Sequence, residues 1–235
     1  MRPSLILLPG WGLGNAPLQP LAAALADQAQ VAIEPLPAFE HADSERWLDA
    51  LDERLPRGVW LGGWSLGGML ATLLAARRGA DCPGLLTVAS NARFTASEAW
   101  PAAMPAATFE AFREAYALNP AATLKRFAML CSQGAVDFRG LSRRLLEQAD
   151  GSDSLAGLDL LAALDTREAL QQFSGPQLHL FAADDALVPA AATVDIRALQ
   201  PAAEVRHVQG ASHAMLVEQV SEVAVAIARF MESQP

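Results

Sequence analysis

The sequence predicts an α/β protein: a mostly parallel sheet of about six strands flanked by helices, with a block of helices inserted between its strand–helix units. Three observations carry that prediction. Short apolar runs alternate with amphipathic helical segments at both ends of the 235 residues. Between about residues 92 and 165 the strand pattern stops and only helical periodicity remains. The apolar run Val59-Trp60-Leu61-Gly62-Gly63 passes through Trp64-Ser65-Leu66-Gly67-Gly68 directly into a helical pattern.

The elements follow in order. Ser4–Leu8 is apolar almost throughout, as a strand covered on both faces should be. It ends in Pro9-Gly10-Trp11-Gly12-Leu13-Gly14, a loop with three glycines. Residues 17–27 read as a helix with Leu18, Leu21 and Leu25 on one stripe. Residues 31–34 form the second strand, closed by Pro35 and Pro37, and Asp43 opens a helix that turns Trp47, Leu48 and Leu51 inward. The third strand is 59–63, its helix 69–78, and the fourth strand 85–89 after Pro83-Gly84. Helical segments then fall at 108–118, 121–131, 138–149 and 154–164. Alternation resumes with a strand at Gln177–Ala182, a helix at 190–199, a strand at Glu204–Val208 and one long terminal helix over 214–231. Repeated strand-then-helix order gives parallel strands with helices on both faces. The expected organisation is a core over 1–91 and 166–235 with a helical cap over 92–165.

Composition narrows the function. An apolar fraction of 52% suffices for a large core, and the apolar run at 5–8 is too short for a signal peptide or membrane span. A net charge of −9 argues against nucleic acid and anionic membranes as partners. Cys82 and Cys131 lack metal or redox spacing, so free thiols in the cytoplasm are expected, with no metal and no cofactor. The charge is uneven. Lys125, Arg126, Arg139, Arg143 and Arg144 face the single acid Asp137 in the window 121–146, a local +4 that leaves −13 elsewhere. Such a patch suits an acidic partner, or is simply a solvated helix face.

Ser65 is the candidate nucleophile. Gly-Trp-Ser-Leu-Gly between a strand and a helix is the nucleophile-elbow pattern, in which a sharp turn pushes the serine hydroxyl out of the sheet. Gly63 and Gly67 lack the Cβ atoms that would block the turn. A serine needs a base and an acid that orients it. His213, just past the last strand, is the histidine placed on the rim where Ser65 emerges; His179 and His207 lie within strands and His41 in a polar loop. The acid should follow an intervening strand end, where Asp184 and Asp185 both stand. Asp185 is preferred because Asp185-Ala186-Leu187-Val188-Pro189 turns into the next helix, with Asp184 the alternative. The oxyanion donors expected are the main-chain N–H groups of Leu66 and Trp11, and the Trp11 ring could also wall the pocket.

With these residues placed, the chain resembles an α/β-hydrolase throughout, and more narrowly the pimeloyl-[acyl-carrier protein] methyl ester carboxylesterases of biotin synthesis. Leu7-Leu8-Pro9-Gly10-Trp11-Gly12-Leu13 is similar to their oxyanion loop, and Trp60-Leu61-Gly62-Gly63-Trp64-Ser65-Leu66-Gly67-Gly68 to their elbow. Thr87-Val88-Ala89-Ser90, Asp185-Ala186-Leu187-Val188-Pro189 and Ala211-Ser212-His213-Ala214 resemble their following segments. Pro9 stands where the family usually has histidine, and the strands that normally precede the first one here are missing. The resemblance implies a monomeric enzyme that removes the methyl ester from a pimeloyl group on an acyl-carrier protein. It further implies that Arg126, Arg139, Arg143 and Arg144 grip the carrier, with Trp11, Trp64, Phe127 and neighbouring apolar residues along the acyl path. The rival readings are a generalist short-chain esterase or thioesterase without a carrier, and a small-molecule receptor on the same fold.

Overall fold

The computed structural model describes residues 2–152 and 154–234. Six strands, β1 (Ser4–Leu8), β2 (Gln30–Ile33), β3 (Trp60–Trp64), β4 (Leu85–Val88), β5 (Gln177–Ala182) and β6 (Glu204–Val208), form one sheet in the order β2-β1-β3-β4-β5-β6. Every pairing is parallel. The central strands β3, β4 and β5 are buried at each position, which explains their mainly apolar runs, whereas the edge strand β2 alternates exposed and half-buried residues and the edge strand β6 mixes buried, half-buried and exposed ones. From β1 the chain steps outward to β2 and then crosses back to β3. The strand order therefore reverses between β1 and β3, opening a crevice at their carboxyl ends. Leu8 pairs with Gly63 across that point, so the loop after β1 and the turn after β3 leave the sheet side by side.

Helices α1 (Gln19–Ala24), α2 (Ser44–Arg54), α3 (Leu66–Arg78), α8 (Arg167–Gln172), α9 (Ala192–Leu199), α10 (Met215–Glu218) and α11 (Val220–Glu232) belong to the strand–helix alternation. Helix α3 is buried along most of its length, including Leu66, Met69, Leu70 and Leu74. Each such apolar side chain contributes roughly 1.5–3 kcal/mol through removal from water. Among the described residues no helix is long and apolar enough to cross a membrane.

Between β4 and α8 lie four further helices, α4 (Ala106–Leu118), α5 (Pro120–Ser132), α6 (Phe138–Glu147) and α7 (Leu155–Ala163), with isolated β-bridges as the only extended pairing among the described residues. A two-pronged Arg113–Asp159 ion pair ties α4 to α7. The two stems of this helical block meet. Thr166 donates its N–H and its hydroxyl to the Ala92 carbonyl at 2.9 and 3.2 Å, and Arg93 pairs with Asp165 at 3.0 Å.

Three details differ from the sequence reading. The helix expected at 17–27 is a 3-10 turn, Ala16–Leu18, followed by the short α1, each with proline in its first turn. Helix α8 carries no long apolar stripe and was not expected. The terminal helix is two helices broken at Gln219, whose φ of −116° and ψ of 37° lie outside the helical region.

Candidate active site

Ser65 lies between β3 and α3 with φ 54° and ψ −120°, a conformation that costs roughly 1–3 kcal/mol for a residue with a side chain. The surroundings hold it there. Its N–H donates to Val88 O at 3.0 Å, and its carbonyl accepts from Gly68 N, Met69 N and the Ser90 hydroxyl at 3.0, 3.3 and 2.8 Å. A Cβ on Gly63 would lie 2.2 Å from the Gly67 carbonyl carbon, and one on Gly67 would lie 2.2 Å from Leu8 O. Both glycines are therefore required by backbone approach. Beyond the Gly68 and Met69 bonds to Ser65 O, the Leu66 and Gly67 amides that open α3 donate to no other described residue, and the positive end of the helix points at Ser65.

His213 occupies the turn between β6 and α10 and is fully buried. Its Nδ1–H donates to Asp185 Oδ2 at 2.8 Å, while Nε2 has no hydrogen-bond partner among the described residues. The other Asp185 oxygen accepts from the N–H groups of Leu187 and Val188 at 2.8 and 2.9 Å, which fixes the carboxylate's orientation. Asp184 instead uses its main-chain N–H on Ala211 O at 3.0 Å, so of the two neighbouring aspartates Asp185 is the one bonded to the imidazole. A basic nitrogen left open opposite a carboxylate-held Nδ1 is the arrangement that lets imidazole accept a proton from a nucleophile. Hydrogen bonds of this kind are often unformed until substrate binds.

The loop after β1 passes against Ser65: a Cβ built on Gly10 would lie 3.3 Å from the Ser65 Cβ. The next residue, Trp11, anchors the loop. Its indole N–H donates to Ser154 O at 2.8 Å, and its ring packs edge-on against Phe112, Tyr116 and Phe127 at 6.0, 5.2 and 4.9 Å. The side chain is thus committed to α4, α5 and the start of α7, and the main-chain N–H groups of Trp11 and Leu66 donate to no other described residue.

An apolar cavity of about 120 Å³ lies under the helical block. Phe94, Met104, Phe109, Phe112, Phe127 and Leu130 line it, together with Arg126 and with Ala186 and Leu187 beside Asp185. A second cavity, of about 190 Å³, is bounded by Gly10, Trp11, Leu66 and the 35–39 loop. Trp64 lines neither; it is fully buried, and its indole N–H donates to the His213 carbonyl at 2.9 Å. Arg139 and Arg143 are exposed and border a shallow depression of about 380 Å³ between α5 and α6, with Lys125 beside them and Met129, Phe138 and Leu146 as its apolar lining. Arg126 belongs to the apolar cavity, so the arginines do not form a single cluster. Cys131 is buried, and burial, reinforced by the nearby Asp185 charge, pushes its thiol well above the ordinary range.

Two residues that bear on this geometry were not read from the sequence. Ser90 reaches the Ser65 carbonyl, and Glu218 reaches Ser212. Ser90 ends a segment already matched to a family pattern. Nothing local separates Glu218 from an ordinary acid on a helix.

The alpha/beta hydrolase family model matches residues 5–226. The chain is 34% identical over 223 residues to a pimeloyl-[acyl-carrier protein] methyl ester esterase of Vibrio cholerae, covering 89% of this chain and 87% of that protein. It is 37% identical over 241 residues to the biotin biosynthesis bifunctional protein BioHC of Cellvibrio japonicus, covering 99% of this chain and 48% of the relative. The chain thus spans about half the length of the bifunctional relatives it matches. Among solved structures, bromoperoxidase from Bacillus anthracis superposes with a TM-score of 0.83 at 18% identity, covering 99% of this chain and 93% of that one, a likeness of fold.

Proposed function

We propose that this chain, which belongs to the alpha/beta hydrolase family, is a carboxylic ester hydrolase that removes the methyl ester from a pimeloyl group carried on an acyl-carrier protein, using Ser65, His213 and Asp185. In this reading Ser65 Oγ attacks the ester carbonyl as His213 Nε2 takes its proton. The N–H groups of Leu66 and Trp11 receive the oxyanion, and loss of one such donor typically costs about 2.7–4 kcal/mol of transition-state stabilisation. His213 returns the proton to the departing methoxide. Water, deprotonated by the same nitrogen, then splits the acyl-enzyme. The products are methanol and a carrier-bound acyl chain with a free carboxylate.

The reading rests above all on His213 being held by Asp185 at 2.8 Å with Nε2 left open. The choice of substrate is supported by relatives named for it that the chain matches over most of their length. In the proposal residues 92–165 act as a cap whose apolar cavity takes the acyl chain, and Arg126, Arg139 and Arg143 meet the acidic carrier or its phosphate. The enzyme would work in the cytoplasm. The deciding experiment follows pimeloyl-carrier methyl ester by mass: the expected result is methanol release with the thioester intact, abolished in Ser65→Ala. Inertness toward that substrate alongside brisk hydrolysis of p-nitrophenyl butyrate would leave a generalist esterase instead.

A further inference from the structure

The turn that carries His213 has no ladder of its own. Strand β6 ends at Val208, α10 begins at Met215, and His213 lies between them, flanked by Ser212 and Ala214, all three fully buried. Buried main-chain donors need partners. Three groups serve this turn: Cys131 O accepts the Ala214 N–H at 3.1 Å, the Trp64 indole N–H donates to the His213 carbonyl at 2.9 Å, and the acceptor for Ser212 comes from the far end of α10. Glu218 folds back so that Oε1 accepts both the N–H and the hydroxyl of Ser212, each at 2.5 Å. The Ser212 hydroxyl oxygen in turn accepts the Ala214 N–H at 3.3 Å. One carboxylate oxygen thereby secures Ser212 directly and reaches Ala214 through one hydroxyl, alongside the shorter bond from Ala214 to Cys131 O. Bonds to an ionised acceptor are about twice as strong as neutral ones.

We infer that Glu218 is a positioning residue for His213. This inference rests on the reading of His213 as the base and adds to it a group that helps to set the base's place. Asp185 fixes the direction of the imidazole through Nδ1. It does not fix the main chain from which the ring projects, and that main chain sets how far Nε2 stands from Ser65. Glu218 touches neither substrate nor reacting atoms; it acts by holding the Ser212 peptide.

The test uses the full chain with p-nitrophenyl butyrate, comparing wild type, Glu218→Ala, Glu218→Gln, Ser65→Ala and His213→Ala, with thermal midpoints measured so that each is assayed folded. Glu218→Ala should lower kcat about tenfold or more while KM stays within about twofold, because the loss is one of geometry at the reacting atoms. Glu218→Gln keeps a carbonyl oxygen able to accept both bonds and should recover most of the rate. Labelling of Ser65 by a fluorophosphonate, which also needs the base, should slow in parallel with kcat. The inference is overturned if folded Glu218→Ala keeps its kcat, if its defect lies in KM alone, or if Glu218→Gln is equally impaired. Should Glu218→Ala not fold, Ser212→Ala, which deletes only the hydroxyl link, takes its place, and an unchanged kcat there is equally fatal. Turnover surviving in Ser65→Ala or His213→Ala defeats the triad reading and this inference together. Turnover lost in those two but kept in Glu218→Ala defeats this inference alone.

Discussion

Trp64 and His213 are joined by a hydrogen bond of 2.9 Å from the indole N–H to the main-chain carbonyl, and their rings lie 5.4 Å apart. The residue immediately before the candidate nucleophile thus holds the candidate base. Trp64→Phe keeps most of the packing and deletes the donor, leaving a buried carbonyl unpaired. We expect a loss of about 1–3 kcal/mol in urea unfolding, with kcat on a small ester falling while KM holds. A variant that loses stability but keeps full kcat would reduce the bond to a purely structural role.

The two neighbouring aspartates should separate cleanly. Asp185→Asn is expected to lower kcat on the order of 10³–10⁴-fold, since an amide in place of the carboxylate favours the wrong imidazole tautomer. Asp184→Asn should remain near wild type. Steady-state kinetics on one small ester decides the matter, and equal defects would contradict the 2.8 Å contact as the functional one.

Gly67→Ala would bring a methyl to 2.2 Å from Leu8 O, a backbone atom that cannot swing away. Overpacking of this kind costs about 1–3 kcal/mol or more, and here it also displaces Ser65. A lowered unfolding midpoint together with lost esterase activity is expected. Wild-type values for both would mean that the elbow is looser than drawn.

Acid should weaken the fold through His179. Its Nε2–H donates to Gln177 Oε1 at 3.2 Å and its Nδ1 accepts from the Thr87 hydroxyl at 2.7 Å, and burial pushes its pKa down from 6.5 to about 4. Gln177 spends its amide N–H groups on the Leu170 and Phe173 carbonyls, so its oxygen faces Nε2–H, and the neutral ring is satisfied. Between those two pH values the unfolded chain binds a proton that the folded chain refuses. Stability is therefore complete above pH 6.5 and declines as pH falls toward 4, by on the order of 3 kcal/mol. Denaturation at pH 7 and pH 4.5 should show a smaller drop for His179→Gln than for wild type; identical drops would exclude the histidine as the cause.

Replacing Arg139 and Arg143 together with Ala should slow turnover of a carrier-bound ester and leave p-nitrophenyl butyrate untouched. Both side chains are exposed at the rim of the same depression, so their attraction for an acidic carrier is screened by salt. The defect should shrink at high ionic strength. If both substrates respond alike, carrier docking at this rim is wrong.

The elbow was legible because its constraint is local: strand, five residues and helix leave no room for a Cβ at Gly63 or Gly67. The alternation of short apolar runs and helical stripes likewise carried the six-stranded parallel sheet. Long-range choices were not legible. Asp184 and Asp185 follow the same strand end, and only the direction of the turn decides which one meets His213. Trp64 invites reading as a pocket wall because it is aromatic and adjoins Ser65, yet it ends a strand buried on both faces, opposite Val88, and it lines neither the apolar cavity nor the one beside Trp11. Glu218 escaped notice because its partner lies across a turn whose shape no local pattern announces.

The doorway formed by Ala92 and Thr166 has an evolutionary corollary. Because the chain leaves the sheet and re-enters it at touching points, the intervening helices could be exchanged for others without unpicking a single strand. Such a graft would not be free of conditions. The replacement would have to offer an acceptor for the Trp11 indole and, where Cys131 O now meets the Ala214 N–H at 3.1 Å, another for the turn behind the imidazole. An insert that filled those two sockets would leave the sheet and the imidazole's turn as they are.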